Sequence, residues 1–308
     1  MEEFFNSLGN ARNKARKFHY KCLCPNCSRN AINSHLIQQH PYLESIAEDG
    51  YLYQIKDNEI DPRSGDFSDS KEQILSIRQV LSMPLFCSEH DNGLFKPIES
   101  GDIDFNSVNT FLLFSLRGLA SQRYLEEKRQ VHYQNTGFEG EPFDVQREYS
   151  KYVIDRFDRT LDMLMNDIAE KSYADYLFNA IDLPWMPVCG SDAVVDEDEM
   201  VESYYNGNLH IRAINTLYMT LLPLKEERVL KLIIGYHKSY VGKRQKKFYQ
   251  HVCSSPKAES ILQCIFRMKN WCGSPSYFKG TGFADVYEAK REHGDGYLFH
   301  KRIVFREI

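Results

Sequence analysis

The chain has 308 residues, with Lys+Arg 38 against Asp+Glu 43 for a net charge of −5, and 42% of its residues are hydrophobic. That length holds about two domains with a substantial core, and the mildly acidic balance excludes a globally basic nucleic-acid binder, so a phosphate-binding surface is expected only as a local patch. No uncharged apolar run reaches the roughly 18 residues of a membrane span.

The opening Met1-Glu2-Glu3-Phe4-Phe5 lacks the basic and apolar regions of a secretory signal. The expectation is a cytoplasmic protein with no membrane partner, whose eight cysteines are thiols or metal ligands rather than disulfides. The cations Arg12, Lys14, Arg16, Lys17 and Lys21 follow. Such a run reads either as a solvated helix face or as a phosphate contact.

Next come Cys22, Cys24 and Cys27, in Lys-Cys-Leu-Cys-Pro-Asn-Cys, answered later by Cys87 and His90 in Phe-Cys-Ser-Glu-His-Asp. Two close-spaced thiolate or imidazole pairs brought together from separate stretches are what a tetrahedral Zn²⁺ requires. The first 100 residues are therefore expected to be organised around one structural zinc, with the choice between Cys22 and Cys24 left open by the spacing.

Between the pairs, Ser34-His35-Leu36-Ile37 reads as a strand end or tight turn, Pro41 opens a short helix carried by Tyr42, Leu43, Ile46 and Ala47, and Gly50 suits its C′ position. Residues 51–55 alternate as a strand, and 57–70, rich in Asp, Pro, Gly and Ser, read as an inserted loop. Phe105, Val108, Phe111, Leu112, Leu116 and Leu119 begin a helical period that runs to about Tyr133. A second long helix is predicted over 145–181, and the loop at 139–142 makes the two an αα-hairpin.

Further on, Asp192, Asp196, Glu197, Asp198, Glu199 and Glu202 form an acidic run that reads as a solvated loop or helix start. Residues 217–222 and 229–234 read as two strands joined around Pro223 to Glu227. Lys243, Arg244, Lys246 and Lys247, interleaved with Tyr240, Phe248 and Tyr249, are the best nucleic-acid patch of the C-terminal half and are equally readable as a charged hairpin tip. A helix over 258–269 and a closing strand over 297–305 complete the reading. Cys189, Cys253, Cys264 and Cys272 have no partner at metal spacing and read as buried thiols. No Gly-rich phosphate loop is present.

The cysteine knuckle, then Ser-His-Leu-Ile, then Cys-x2-His-Asp with Ile98-Glu99 downstream resembles the zinc-containing branch of the HNH, or ββα-metal, endonucleases over Cys22 to Glu99. The resemblance implies an α+β protein with three parts. These are a zinc-bound HNH-like (treble-clef) module over 1–104, a helical hairpin over 105–183 and a mixed α/β domain over 184–308.

It implies Cys87 and His90 as the second zinc pair, and Cys27 with Cys22 or Cys24 as the first. It also implies His35 as the general base, Asp91 as a ligand of catalytic Mg²⁺ or Mn²⁺, and Glu99 as a further ligand. Metal-dependent hydrolysis of phosphodiester bonds, in DNA rather than RNA, is the implied activity. Bacterial antiviral defence, with a partner protein encoded nearby, is the implied setting. The alternative is a non-catalytic zinc module that binds nucleic acid or a protein as sensor or scaffold. Two departures from the family pattern are Ser34, where active members carry Asp or Glu, and the long separation between Cys27 and Cys87.

Overall fold

The computed structural model describes residues 2–56, 71–99, 103–140, 143–207, 213–279, 281–283 and 287. The N-terminal third supplies α1 (Glu2–Lys17), β1 (Ile32–His35), a π-helical turn (Gln39–Leu43) that runs into α2 (Glu44–Ile46), β2 (Tyr51–Lys56), β3 (Lys71–Ser76), β4 (Ser82–Phe86), α3 (Ser88–Leu94) and α4 (Lys96–Glu99). Two long helices follow, α5 (Val108–Gln134) and α6 (Phe143–Glu170). The rest is β5 (Tyr176–Pro184), β6 (Val188–Val195), α7 (Glu197–Tyr205), β7 (Thr216–Leu224), β8 (Val229–His237), α8 (Lys243–Ser254), α9 (Ala258–Ile265), β9 (Trp271–Gly273) and α10 (Pro275–Phe278). The protein is α+β.

Seven strands form one antiparallel sheet in the order β3-β2-β9-β6-β7-β8-β5. Strands β2 and β3 come from the stretch 1–104, β5 almost wholly from 105–183, and β6 to β9 from 184–308. Alternation along β7 sends Tyr218 and Leu222 to one face, and Leu217, Met219 and Leu221 to the other. The first face shares a core with Phe111, Leu112, Phe114, Leu116 and Leu119 of α5 and with Leu161 and Leu164 of α6. The second meets Phe248, Tyr249 and Val252 of α8 and Ile261 and Ile265 of α9. The sheet is therefore the middle layer between two sets of helices.

A separate two-stranded ribbon pairs β1 with β4, placing His35 opposite Ser82, and α3 leaves the end of β4. This strand, strand and helix pack on the α5 side, because Leu36, Ile37, Leu85, Phe86, Phe95 and Ile98 belong to the same core as the helical hairpin.

Five sequence expectations are corrected. The helix predicted over 145–181 ends at Glu170, where Lys171 at φ 56° turns the chain, and the following residues pair as β5 along β8 from Tyr176 opposite His237 to Pro184 opposite Val229. Apolar spacing alone did not separate a helix tail from an aromatic-rich strand. The basic stretch at 243–247 is the first turns of α8 and not a hairpin tip. It is helical because Gln245, Phe248, Tyr249 and Val252 form one buried stripe.

The acidic run divides. Asp192 lies inside β6, fully buried, whereas Asp196 caps α7 by accepting the Glu199 N–H at 3.2 Å. Gly50, at φ 79°, serves the turn into β2 and not the end of α2, which stops at Ile46, and α9 stops at Ile265 rather than 269. The predicted loop at 57–70 and the strand at 297–305 lie outside the described residues.

Candidate functional site

The knuckle is a small hairpin. Cys22 donates its N–H to Arg29 at 2.9 Å, Ala31 donates to Tyr20 at 2.9 Å, and Cys27 donates to Cys24 at 3.2 Å, with Asn26 at φ 60° making the sharp turn. Asn is the non-glycine residue best suited to that left-handed position. A bond from Leu23 N–H to the Leu85 carbonyl at 3.0 Å docks the knuckle beside β4. At the far end of β4, Cys87 is the N-cap of α3 and His90 stands one turn further along.

These elements bring Cys22, Cys27, Cys87 and His90 together, their ligand atoms all within 4.8 Å of one another. Nδ1 of His90 lies 3.2 Å from the Cys22 sulfur and 3.4 Å from that of Cys87, and the Cys27 and Cys87 sulfurs are 4.0 Å apart. Tetrahedral Zn²⁺ with ordinary Zn–S and Zn–N bonds would separate its ligand atoms by roughly 3.6–3.8 Å. Three sulfurs and one imidazole thus form a site able to hold a metal ion such as zinc.

Cys24 is outside this set. It is buried, and burial followed by the neighbouring thiols Cys22, Cys27 and Cys87 raises its thiol well above the usual range. Burial also raises Cys22. Cys27 is the opposite case, held down to about 6 by the Arg29 side chain and backbone beside it, and Arg29 in turn pairs with Glu89.

One residue beyond His90 begins a second polar group. Asp91 and Glu99 are both engaged by Arg117 of α5, through a 3.4 Å contact to Asp91 Oδ1 and a closer one to Glu99 Oε1. The Arg117 side chain is 2% exposed, against 15% for Asp91 and 32% for Glu99, and its guanidinium lies 4.1 Å from the Phe95 ring centre. The carboxylates therefore stand between the arginine and solvent.

His35 is half-buried at the end of β1, its Nε2 3.1 Å from the Ile77 carbonyl and 3.0 Å from the Gln39 side-chain amide. The carbonyl only accepts and the amide nitrogen only donates, so the ring hydrogen is on Nε2 when it faces Ile77, which leaves the lone pair on Nδ1, and on Nδ1 when Nε2 accepts from Gln39. Burial is the main cause that lowers the His35 pKa below 6.5; the Ile77 and Arg78 backbones and the charge of Asp91 oppose it, while Arg117 adds to it. Ser34, fully buried, donates weakly to the Ile32 carbonyl at 3.4 Å.

Arg117, which the sequence reading did not single out, engages Asp91 and Glu99 directly and acts on His35 only through its charge. Its signal was there: Arg117 is the one charged residue in the apolar stretch 108–122. Carboxylates expected to receive Mg²⁺ or Mn²⁺ already have a cation between them. Among the described residues, Cys22, Cys27, Cys87 and His90 are the one set of three or more His, Cys, Asp or Glu that converges as metal ligands. As they stand, His35, Asp91 and Glu99 do not fit a divalent ion.

The patch Lys243, Arg244, Lys246 and Lys247 is exposed on α8, across the sheet from the metal cluster, and Arg244 pairs with Asp198 at 2.8 Å. The remaining cysteines are thiols: Cys189, Cys264 and Cys272 are fully buried and Cys253 is half-buried. No helix among the described residues is long and apolar enough to cross a membrane. Searches of protein-family models, curated proteins and solved structures gave no match to this chain.

Proposed function

We propose that the chain is a zinc-stapled protein of the HNH type that hydrolyses phosphodiester bonds in DNA beside His35 of β1 and Asp91 of α3. The observation that carries this reading is the ββα unit itself. The metal-ligand cluster fixes the start of α3 against the knuckle, and the same unit sets the His35 imidazole within electrostatic reach of Asp91.

A half-buried imidazole with a lowered pKa is neutral at pH 7; with Nε2–H donated to Ile77, Nδ1 takes a proton from water as the water oxygen bonds to phosphorus and the opposite P–O ester bond breaks, the leaving alkoxide taking a proton from solvent. Asp91 favours the imidazolium that forms, because its charge raises the proton affinity of His35. No step is assigned to Mg²⁺ or Mn²⁺. Zinc supplies no chemistry in this scheme beyond cross-linking the knuckle to α3. The basic residues of α1 and α8 are proposed as diffuse phosphate contacts, and antiviral defence, in the cytoplasm and with a neighbouring protein partner, as the setting.

A second reading is favoured by Ser34, buried and turned to its own strand, and by the engaged carboxylates. In it the zinc module binds nucleic acid or a protein without cutting. Plasmid nicking separates the two. Under the first reading the zinc-loaded protein nicks DNA, and His35→Ala abolishes nicking while retaining zinc. Nicking that survives His35→Ala, or is absent from the zinc-loaded wild type, contradicts it.

A further inference from the structure

Each residue that a catalytic divalent ion would use already has at least one protein partner. His35 Nε2 faces the Ile77 carbonyl, the Ser34 hydroxyl faces the Ile32 carbonyl, and Asp91 and Glu99 each give an oxygen to Arg117. We propose that Arg117, in place of a divalent ion, is the resident cation around which Asp91 and Glu99 are organised, so that this site has no high-affinity place for Mg²⁺ or Mn²⁺. The inference rests on the reading of these residues as the working site only for its relevance to catalysis; the geometry stands without it.

Burying a guanidinium is costly unless it is paired and hydrogen-bonded. Arg117 reaches out of an apolar helix to the two carboxylates, and the Phe95 face covers the guanidinium. Its Nε has no partner. The side chain is thus already short of one bond, and its stability in the core depends on the two acids. An ion that drew Asp91 and Glu99 away would leave the charge stranded in α5 without either partner. The converse also holds. Two carboxylates side by side repel, and Arg117 offsets that repulsion from the core side, as an ion would from the solvent side.

Arg117 acts through Asp91 and Glu99 and is a positioning residue. Both contacts come from one nitrogen, Nη2, whose two hydrogens face the two carboxylates.

The test is Mn²⁺ titration of the zinc-loaded full chain, read by electron paramagnetic resonance of free Mn²⁺. Wild type should show no site tighter than on the order of 10⁻³ M, the weak end of the range that oxygen-ligand cation sites span. Arg117→Met, checked for retained zinc and cooperative unfolding, should gain one Mn²⁺ site at least about tenfold tighter, and adding Asp91→Asn should remove it. Should Arg117→Met fail to fold, Arg117→Lys is the substitute, with a smaller gain expected because lysine keeps the positive charge on a shorter side chain.

One Mn²⁺ bound by wild type in the micromolar range and lost in Asp91→Asn overturns the proposal. A folded Arg117 variant with no gain also overturns it. Neither result depends on nicking, so absence of cleavage with the expected Mn²⁺ behaviour rejects the hydrolase reading and leaves the role of Arg117 intact.

Discussion

Of the three knuckle cysteines, Cys22 and Cys27 turn toward Cys87 and His90, and Cys24 does not. Spacing admitted either Cys22 or Cys24. The choice was fixed by Asn26 in a left-handed conformation and by the Cys27 to Cys24 backbone bond, which curls the chain so that Cys24 supplies a carbonyl and not a sulfur. Such a choice is not legible in residue spacing, because it depends on where β4 later docks.

His35 carries a sharper expectation. Its imidazole is kept below 6.5 by burial, so if it is the base, nicking should rise with pH through a midpoint under 6.5 and then level off. The stability term has a definite sign as well. A depressed histidine pKa means that the unfolded chain binds the proton more readily, so this contribution is present above 6.5 and is lost as pH falls below it. The difference in unfolding free energy between wild type and His35→Ala should therefore shrink on acidification from pH 7 to pH 5. A difference that stays constant, or grows, contradicts the placement of His35.

At the level of elements, α5 does most to join the parts. It packs on α1, α6, β4 and β6, extends Arg117 to Asp91 and Glu99, and crosses β6 so closely at Gly118 that an added Cβ would meet the Asp192 carbonyl carbon at 2.9 Å. Two effects compete in Gly118→Ala. Alanine gains about 1 kcal/mol of helix propensity, and overpacking against a backbone atom costs about 1–3 kcal/mol. The contact is with backbone, which yields less than a side chain end, so net destabilisation of about 1–2 kcal/mol is expected in chemical denaturation; a stabilised variant would show that α5 and β6 can move apart.

The helical periods of α5 and α6, the pair β7 and β8, and the turn between them were legible because each repeats a local pattern over many residues. Strand β6 was not. Its sequence Val-Cys-Gly-Ser-Asp-Ala-Val-Val contains Asp192, whose carboxylate looks solvated on paper. In the fold it accepts from Gln122, Ala193, Lys269 and Asn270, and burial raises its pKa despite those bonds. The partners lie as far as 78 residues away in sequence, which no window along the chain can reveal.

Across the whole molecule, the metal cluster does not decorate an independent knob. Cys22, Cys24 and Cys87 sit in the same apolar cluster as α5, α6 and one face of the sheet, and β2 and β3 extend that sheet from within the N-terminal third. Loss of the cross-link should accordingly be felt throughout. Apparent zinc-binding energies of about 10–16 kcal/mol in small modules exceed the usual 5–15 kcal/mol of a domain's stability at the lower end, so chelation is expected to lower the midpoint of the whole thermal transition and not only to loosen the first 100 residues.

A metal held by Cys22, Cys27, Cys87 and His90 would reinforce the Arg29–Glu89 pair and the Leu23–Leu85 bond that already tie the knuckle to β4 and to the helix that carries Asp91. The most direct test of this metal site is zinc content by elemental analysis of the purified chain and two variants. The account predicts one zinc per chain in wild type, one in Cys24→Ser, and none in Cys87→Ser. A wild-type chain without zinc, or a Cys24→Ser variant that loses it, would contradict the assignment of Cys22, Cys27, Cys87 and His90.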